Sequence, residues 1–396
     1  MTSAERHEAR YQRRIQKRKQ KKDAKLSRIG GYDDIFSYER LYEAFYLCEK
    51  GVRWKGSIQS YEATLPLSTL TIYDILKERK FKPMGFLEFD ICERGKMRHI
   101  KALKIGERCI QRTLCDNYLS PLLEPLLIYD NGASIKGKGI DFTLNRLKAH
   151  LQRYYRKYHT NEGYVLQYDF SSYFDNIDHE ILLSQLEKVI PDKEIYQVVR
   201  QMIECFGDKG LGLGSQVSQI AAIFYPTVLD RYFKETLKMK WYCRYMDDGI
   251  IICHTLEEVE QCKKALFEVC KQLNIKINSK KLTVSKLSKT FVFLKKRIRL
   301  TDTGAIVMRI GRNSATRARR RLKKLAKKAL DPKEKFTYVD MCQCYKSWIG
   351  SISRYQNYYI TQNFRRLFLR LSLQLNVQMR LKEIQKECLI YMPMAA

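Results

Sequence analysis

Hydrophobic positions in this chain recur with two periods, and the switches between them mark the elements. Helical spacing runs through residues 30–80, with Ser37 placed to cap the stretch Tyr38 to Phe45. Strand-like runs then occupy Met84 to Cys92 and Met97 to Ile105, on either side of a Glu93-Arg94-Gly95-Lys96 turn, which predicts a β-hairpin. Helical spacing returns from Glu107 to Leu123. A glycine-dotted loop follows, Asp130 to Gly139, and then a helix near 141–157.

The second half mixes short apolar runs with helices. A strand over 163–169 ends in Asp169, a helix begins near Asp178, and helices fill 191–206. The loop Gly207 to Gly214 opens into an expected long helix, Ser215 to Leu237. Two apolar stretches, Trp241 to Cys243 and Gly249 to Cys253, flank Tyr245-Met246-Asp247-Asp248, so a hairpin is expected over about 240–254. An amphipathic helix follows from Glu257 to Leu273, then strands near 275–285 and 290–300, and helical spacing from Asn313 onward. The order β-α-β-β-α-β is the split βαβ plan, an α+β sheet backed by helices. It brings the end of the first strand beside the tip of the central hairpin, so Asp169 and Asp247 should meet.

Charge narrows the partners. Lys and Arg total 74 against 43 Asp and Glu, a net charge of +31. Such an excess repels itself unless a polyanion neutralises it, and nucleic acid is the first candidate, an acidic membrane surface the second. A basic arm covers residues 1–29, with Arg13-Arg14, Lys17-Arg18-Lys19 and Lys21-Lys22. It reads as an RNA-binding helix, as an arm that orders on RNA, or as a solubilising tail. Residues 316–328 form a nearly continuous basic face. The 26 Tyr and 17 Phe add surfaces on which unpaired bases stack. No apolar run nears the roughly 20 residues that span a bilayer, and the N-terminus is too polar for a secretory signal. The 12 Cys include no C-x-x-C pair, so a zinc site is not expected, and reduced buried thiols fit a cytoplasmic protein.

Asp247 and Asp248 carry the candidate chemistry. An acidic turn between strands is ordinarily just solvated. Adjacent carboxylates beside a second acidic strand end are different, because their repulsion calls for cations. Asp169, Asp247 and Asp248 together would cage two hard divalent ions, the arrangement used for phosphoryl transfer between nucleotides.

Several motifs then agree in order. Asp169-Phe170-Ser171-Ser172-Tyr173-Phe174-Asp175, Gly212-Leu213-Gly214-Ser215-Gln216-Val217-Ser218-Gln219, Tyr245-Met246-Asp247-Asp248, Ile277-Asn278-Ser279-Lys280-Lys281 and Phe291-Val292-Phe293-Leu294 resemble the successive motifs of reverse transcriptases. The resembled group is the bacterial one related to retrons, group II introns and diversity-generating retroelements, including defence-associated enzymes. It implies a right-hand polymerase: fingers over 30–162, a palm over 163–300 with a helical insertion near 180–212, and a helical basic thumb and tail over 301–396. It also implies that Asp169, Asp247 and Asp248, with Phe170, hold two Mg²⁺, for which Mn²⁺ substitutes.

The resemblance implies further roles. Phe174 would lie beneath the sugar and exclude a 2′-hydroxyl. Lys96, Arg98, Lys136, Lys138, Gly214, Ser218, Gln219 and Lys281 would surround the deoxynucleoside triphosphate. Tyr245, Met246, Phe293, Leu294, Arg317, Arg320, Arg321 and Lys324 would contact nucleic acid. Partners would be a structured noncoding or template RNA and the RNA–DNA duplex, with an accessory protein or a second copy as further candidates, in the cytoplasm, with a bacterium or a phage encoding the protein, and away from membranes. Leu213 replaces the glutamine of the majority pattern, which removes an amide near the base pair. The form ending in Ser218-Gln219 resembles diversity-generating enzymes, although their proline before the glycine is missing here. A non-catalytic RNA-binding, maturase-like scaffold is the competing class, and an RNA-synthesising polymerase is a third; the intact carboxylates speak against the former and Phe174 against the latter.

Overall fold

A computed structural model describes residues 2–93, 95–331 and 333–390; a few side chains inside its helices and strands, Lys96 among them, are outside the described residues. The chain forms two compact units, residues 1–150 with 164–284, and residues 151–163 with 285–396. Among the described residues no helix is long and apolar enough to cross a membrane.

In the first unit the basic arm is one helix, Ser3–Ile29, started by a capping box between Thr2 and Glu5. The helical stretch that follows is four helices, of which Tyr38–Cys48 is capped by Ser37 as its sequence predicts. The expected hairpin is β1 (Phe86–Glu93) and β2 (Lys96–Leu103), paired antiparallel from Phe86 and Leu103 to Glu93 and Lys96.

The central sheet is built from β3 (Tyr164–Asp169), β4 (Tyr242–Tyr245) and β5 (Asp248–Cys253), and β6 (Thr283–Lys286) begins in this unit. Their order, β4-β5-β3-β6, places the first strand between the third and the fourth, the split βαβ arrangement. The run Gly249 to Cys253 is buried residue by residue, so helices cover the sheet on both faces. One of them, Leu256–Gln272, turns Val259, Cys262, Leu266 and Val269 inward at helical spacing. Burial of each such side chain contributes about 1.5–3 kcal/mol against its exposure.

Two expectations need correction here. The helix expected over Ser215 to Leu237 is interrupted: Gln216–Phe224 ends before Pro226, and a second helix, Thr227–Arg231, follows. Proline lacks the amide proton and crowds the preceding turn, so it restarts the helix. Ser215 is the cap of the first piece, its Oγ accepting from the Ser218 amide at 3.1 Å. The strand expected over 275–285 shrinks to β6 and a single bridge between Ile277 and Phe170.

The second unit pairs a small sheet with helices. The strand expected near 290–300 is a hairpin, β7 (Phe291–Phe293) and β8 (Lys296–Leu300), joined by Leu294 and Lys295 at φ of 45° and 64°. The third strand, β9 (Ile306–Ile310), pairs with β8. Three helices follow, Arg312–Lys328, Tyr338–Ile352 and Tyr358–Ile390. Their shared core holds Leu322, Ala326, Met341, Phe364 and Leu375, with Tyr345 stacked 4.0 Å from Phe368.

Candidate active site

Three carboxylates meet at one end of the central sheet. Asp169 ends β3 and lies directly opposite Asp248, the first residue of β5. Tyr245 pairs with Asp248 across the hairpin, which leaves Met246 and Asp247 as a two-residue turn. The Phe170 amide donates to the Asp247 carbonyl at 3.3 Å, which ties the turn to the neighbouring strand. Carboxylate oxygens of Asp169, Asp247 and Asp248 all lie within 4.8 Å of one another.

Their electrostatics follow from that crowding. Burial pushes the Asp248 carboxyl up to about 7, helped by its hydrogen bond with Asp169 and the charges of Asp247 and Asp169. Asp247 is also raised, first by burial and then by Asp169. Lys281 answers part of this charge: its Nζ lies 2.7 Å from Asp169 Oδ1. Burial lowers the Lys281 ammonium, but the bond to Asp169 and the three carboxylate charges raise it overall. Asn278 adds a side-chain bond to Asp169 Oδ2 at 3.4 Å, and its amide donates to the Asp169 carbonyl at 2.9 Å. Oxygen donors packed this closely, at a protonation cost, suit a hard divalent cation. A second cluster, Asp130 with His150 and Cys243, does not. Asp130 is already taken by Arg146 at 2.6 Å and Lys234 at 2.9 Å, and two neighbouring cations repel a third.

The floor beneath the turn is polar and sealed. Arg244 and Asp230 are both 0 % exposed and form an ion pair at 2.6 Å. Tyr242 donates its hydroxyl to Asp230 at 2.6 Å and shares a second bond of 2.7 Å with the Tyr168 hydroxyl. Gly249 lies opposite Tyr168, and only its missing side chain leaves room for that ring.

The remaining expected residues divide. Phe174 is half-exposed at the start of a short helical turn, its carbonyl accepting from the Leu211 amide at 2.7 Å. Lys136, Gly214 and Gln219 line a cleft of about 690 Å³ together with Arg112 and Gln216. Gly214 has φ of 109°, a conformation that favours glycine. Arg98 is exposed on β2. The Lys96 side chain lies outside the described residues. Tyr245 and Met246 are half-buried at the hairpin tip.

Four side chains depart from their expected roles. Lys138 turns back into its own loop, donating to the carbonyls of Tyr129 at 2.8 Å and Asn131 at 3.1 Å, over the rings of Tyr129 and Phe142. It staples the loop and is not a free phosphate contact. Ser218 is only 1 % exposed, because its place in the first turn of the buried helix faces inward. Phe293, 3 % exposed, anchors β7 in the core and leaves Leu294 and Lys295 at the turn. The Phe170 ring is likewise buried, so only its backbone can face a cation. In the second unit Arg317, Arg320, Arg321 and Lys324 are exposed on the helix Arg312–Lys328.

Arg244, Asp230 and Arg112 have no expected role in the sequence, and Asn278 stands there only as a member of its motif. For Arg244 a signal existed: an ionised residue inside an apolar strand, between Cys243 and Tyr245.

Residues 80–298 match the family model described as reverse transcriptase (RNA-dependent DNA polymerase). No curated protein matches the chain. Among solved structures, telomerase of Candida albicans, in complex with a TWJ fragment of telomeric RNA, is 11% identical with a TM-score of 0.48, over 75% of this chain and 56% of that one. Apo telomerase of Candida tropicalis, truncated from its C-terminal domain, is 16% identical with a TM-score of 0.45, over 61% and 59%. Another apo telomerase structure from Candida tropicalis is 13% identical with a TM-score of 0.46, over 73% and 62%. The chain therefore spans less than two thirds of the length of each of these telomerase chains.

Proposed function

This chain belongs to the reverse transcriptase (RNA-dependent DNA polymerase) family, and from that premise we propose that it is a working RNA-directed DNA polymerase. It extends a primer with deoxynucleotides on an associated structured RNA, in the cytoplasm of a bacterium, in antiphage defence or in a diversity-generating retroelement. The observation that carries this reading is the convergence of Asp169, Asp247 and Asp248 on one sheet edge. A scaffold that only binds RNA has no use for three crowded carboxylates, Asp169 buried and Asp247 and Asp248 half-buried, that repel one another.

Asp169 and Asp247 would hold two divalent cations, Mg²⁺ with Mn²⁺ as substitute, with Asp248 assisting. When bound, the cations supply Lewis acidity for the primer hydroxyl and charge neutralisation for the triphosphate and pyrophosphate. The chain's own residues do the rest. Lys281 balances Asp169, and Asn278 fixes its orientation. Phe174 closes the space a 2′-hydroxyl would need. Gly214, with Lys136 and Gln219 in the same cleft, lets backbone approach the nascent base pair and phosphates. The basic helices Ser3–Ile29 and Arg312–Lys328 hold the RNA and the duplex through their phosphates.

The test uses the protein purified with its co-purifying RNA, Mg²⁺ and labelled deoxynucleotides. The proposal expects DNA whose sequence reports the template and the error spectrum. RNA bound tightly with no incorporation of any deoxynucleotide would favour the scaffold. Neighbouring genes separate the two biological settings: a variable-protein gene with a template repeat, or a toxin or isolated noncoding RNA.

A further inference from the structure

The tip of the β4–β5 hairpin has a backbone shape that its sequence does not favour. Met246 has φ of +58°, and of the two turn residues it alone is positive. A two-residue turn with the positive residue first is the type that calls for glycine at that place, because a Cβ there crowds the backbone. Something outside the turn must hold it.

Arg244 is placed to do so. Its guanidinium is fully buried and bonded on every side. Nε lies 2.8 Å from Asp230 Oδ1, and Nη2 lies 2.6 Å from Asp230 Oδ2 and 2.8 Å from the Ile223 carbonyl. Those three bonds fix the plane of the group against the helices beneath the sheet. The remaining bond goes upward: Nη1 donates to the Met246 carbonyl at 2.9 Å. The Asp230 ion pair and the Tyr242 and Tyr168 hydroxyls behind it form one relay from helix to turn. A buried ion pair is seldom a net source of stability, since apolar residues of like volume serve as well. Its place in the strand directly before the catalytic turn gives it another use.

We propose that Arg244 is a positioning residue for nucleotidyl transfer: it locks the left-handed Met246 turn and so fixes where Asp247 and Asp248 present their carboxylates. Asp230 is its anchor. The inference rests on the polymerase reading of the site. It predicts that the guanidinium acts on metal binding and turnover and leaves nucleotide affinity alone.

Arg244→Lys keeps the charge beside Asp230 but cannot reach Asp230, Ile223 and Met246 together. In the full-length protein with its RNA, kcat should fall tenfold or more while the deoxynucleotide KM stays within twofold. Mn²⁺ binding to the protein without nucleotide, read by electron paramagnetic resonance, should weaken threefold or more. In a Met246→Gly background the turn needs no clamp, and the loss caused by Arg244→Lys should shrink to under threefold. If Arg244→Lys does not fold, the charge-free pair Asp230→Asn with Arg244→Gln gives the same readouts. Turnover and Mn²⁺ binding within twofold of the parent in a folded protein lacking Arg244 would overturn the proposal. So would an undiminished loss in the Met246→Gly background. Should the parent protein itself incorporate nothing, the polymerase reading falls, and the Mn²⁺ measurement still decides the role of Arg244.

Discussion

Gly249→Ala puts one methyl group where the sheet has no space for it. An ideal Cβ at this position lies 2.5 Å from the Tyr168 hydroxyl oxygen, and closer still to the ring carbons Cζ and Cε1. Ordinary contact between such atoms begins near ~3.5 Å, so the ring must retreat by roughly 1 Å or more. It has nowhere to go. Tyr168 is buried, with Phe170 at 5.4 Å and Phe233 at 6.3 Å between ring centres, and its hydroxyl is bonded to Tyr242. Overpacking of this kind costs about 1–3 kcal/mol, and the strained hydroxyl bond about 1 kcal/mol more. The lower unfolded-state entropy of alanine offsets about 0.4–1 kcal/mol. The net expectation is a loss of about 1–3.5 kcal/mol. Gly249 is not in the left-handed region, so backbone strain does not contribute. Urea melts of the parent, Gly249→Ala, Tyr168→Ala and the double variant measure the effect, and the cycle should show coupling of about 1 kcal/mol or more. A Gly249→Ala unfolding free energy that falls by less than about 0.5 kcal/mol, or simple additivity with Tyr168→Ala, would refute the packing argument.

Phe174→Ala should admit ribonucleotides, raising their kcat/KM relative to deoxynucleotides at least tenfold; unchanged discrimination would remove Phe174 from the sugar pocket. The metal-free protein should lose stability as pH rises from about 4 to about 7. The sign follows from Asp247 and Asp248, whose folded carboxyls are raised, Asp248 to about 7, so these two groups bind more protons folded than unfolded across that window and outweigh the opposing His150, which burial lowers. Millimolar Mg²⁺ should flatten the profile in thermal melts; a flat metal-free profile would contradict the raised carboxyls. Replacing Arg317 and Arg321 with glutamine should weaken binding to a nucleic-acid duplex and reduce the slope of log K against log salt by about 2 in total. An unchanged slope would take that helix face away from the phosphates.

The carboxylates were legible because each announces itself locally, as an acid at the end of a short apolar run. The split βαβ order then says that the two runs are neighbours. The helix break at Pro226 was also written in the chain, but a long apolar stretch masked it. Other features depend on partners far away in sequence. Lys138 has the composition of a phosphate contact, and only the folded loop shows Tyr129 and Phe142 beneath its ammonium. Ser218 and Phe293 sit in motifs, yet motif membership does not say which way a side chain points. Phe293 faces inward because residues on a strand alternate, and Leu294 is left at the turn. Arg244 matters through Asp230, Ile223 and Met246, and periodicity names none of these as its partners.

Incorporation of labelled deoxynucleotides by the purified protein with its RNA, beside Asp247→Asn, probes the polymerase reading at its root. Asparagine keeps the size of the side chain and removes the charge that a cation needs. The expected result is Mg²⁺-dependent DNA synthesis by the parent, a loss of at least a thousandfold in Asp247→Asn, and RNA binding unchanged in both. Equal incorporation by the two proteins, or none by either while RNA stays bound, would contradict the assignment of this carboxylate cluster as the polymerase centre.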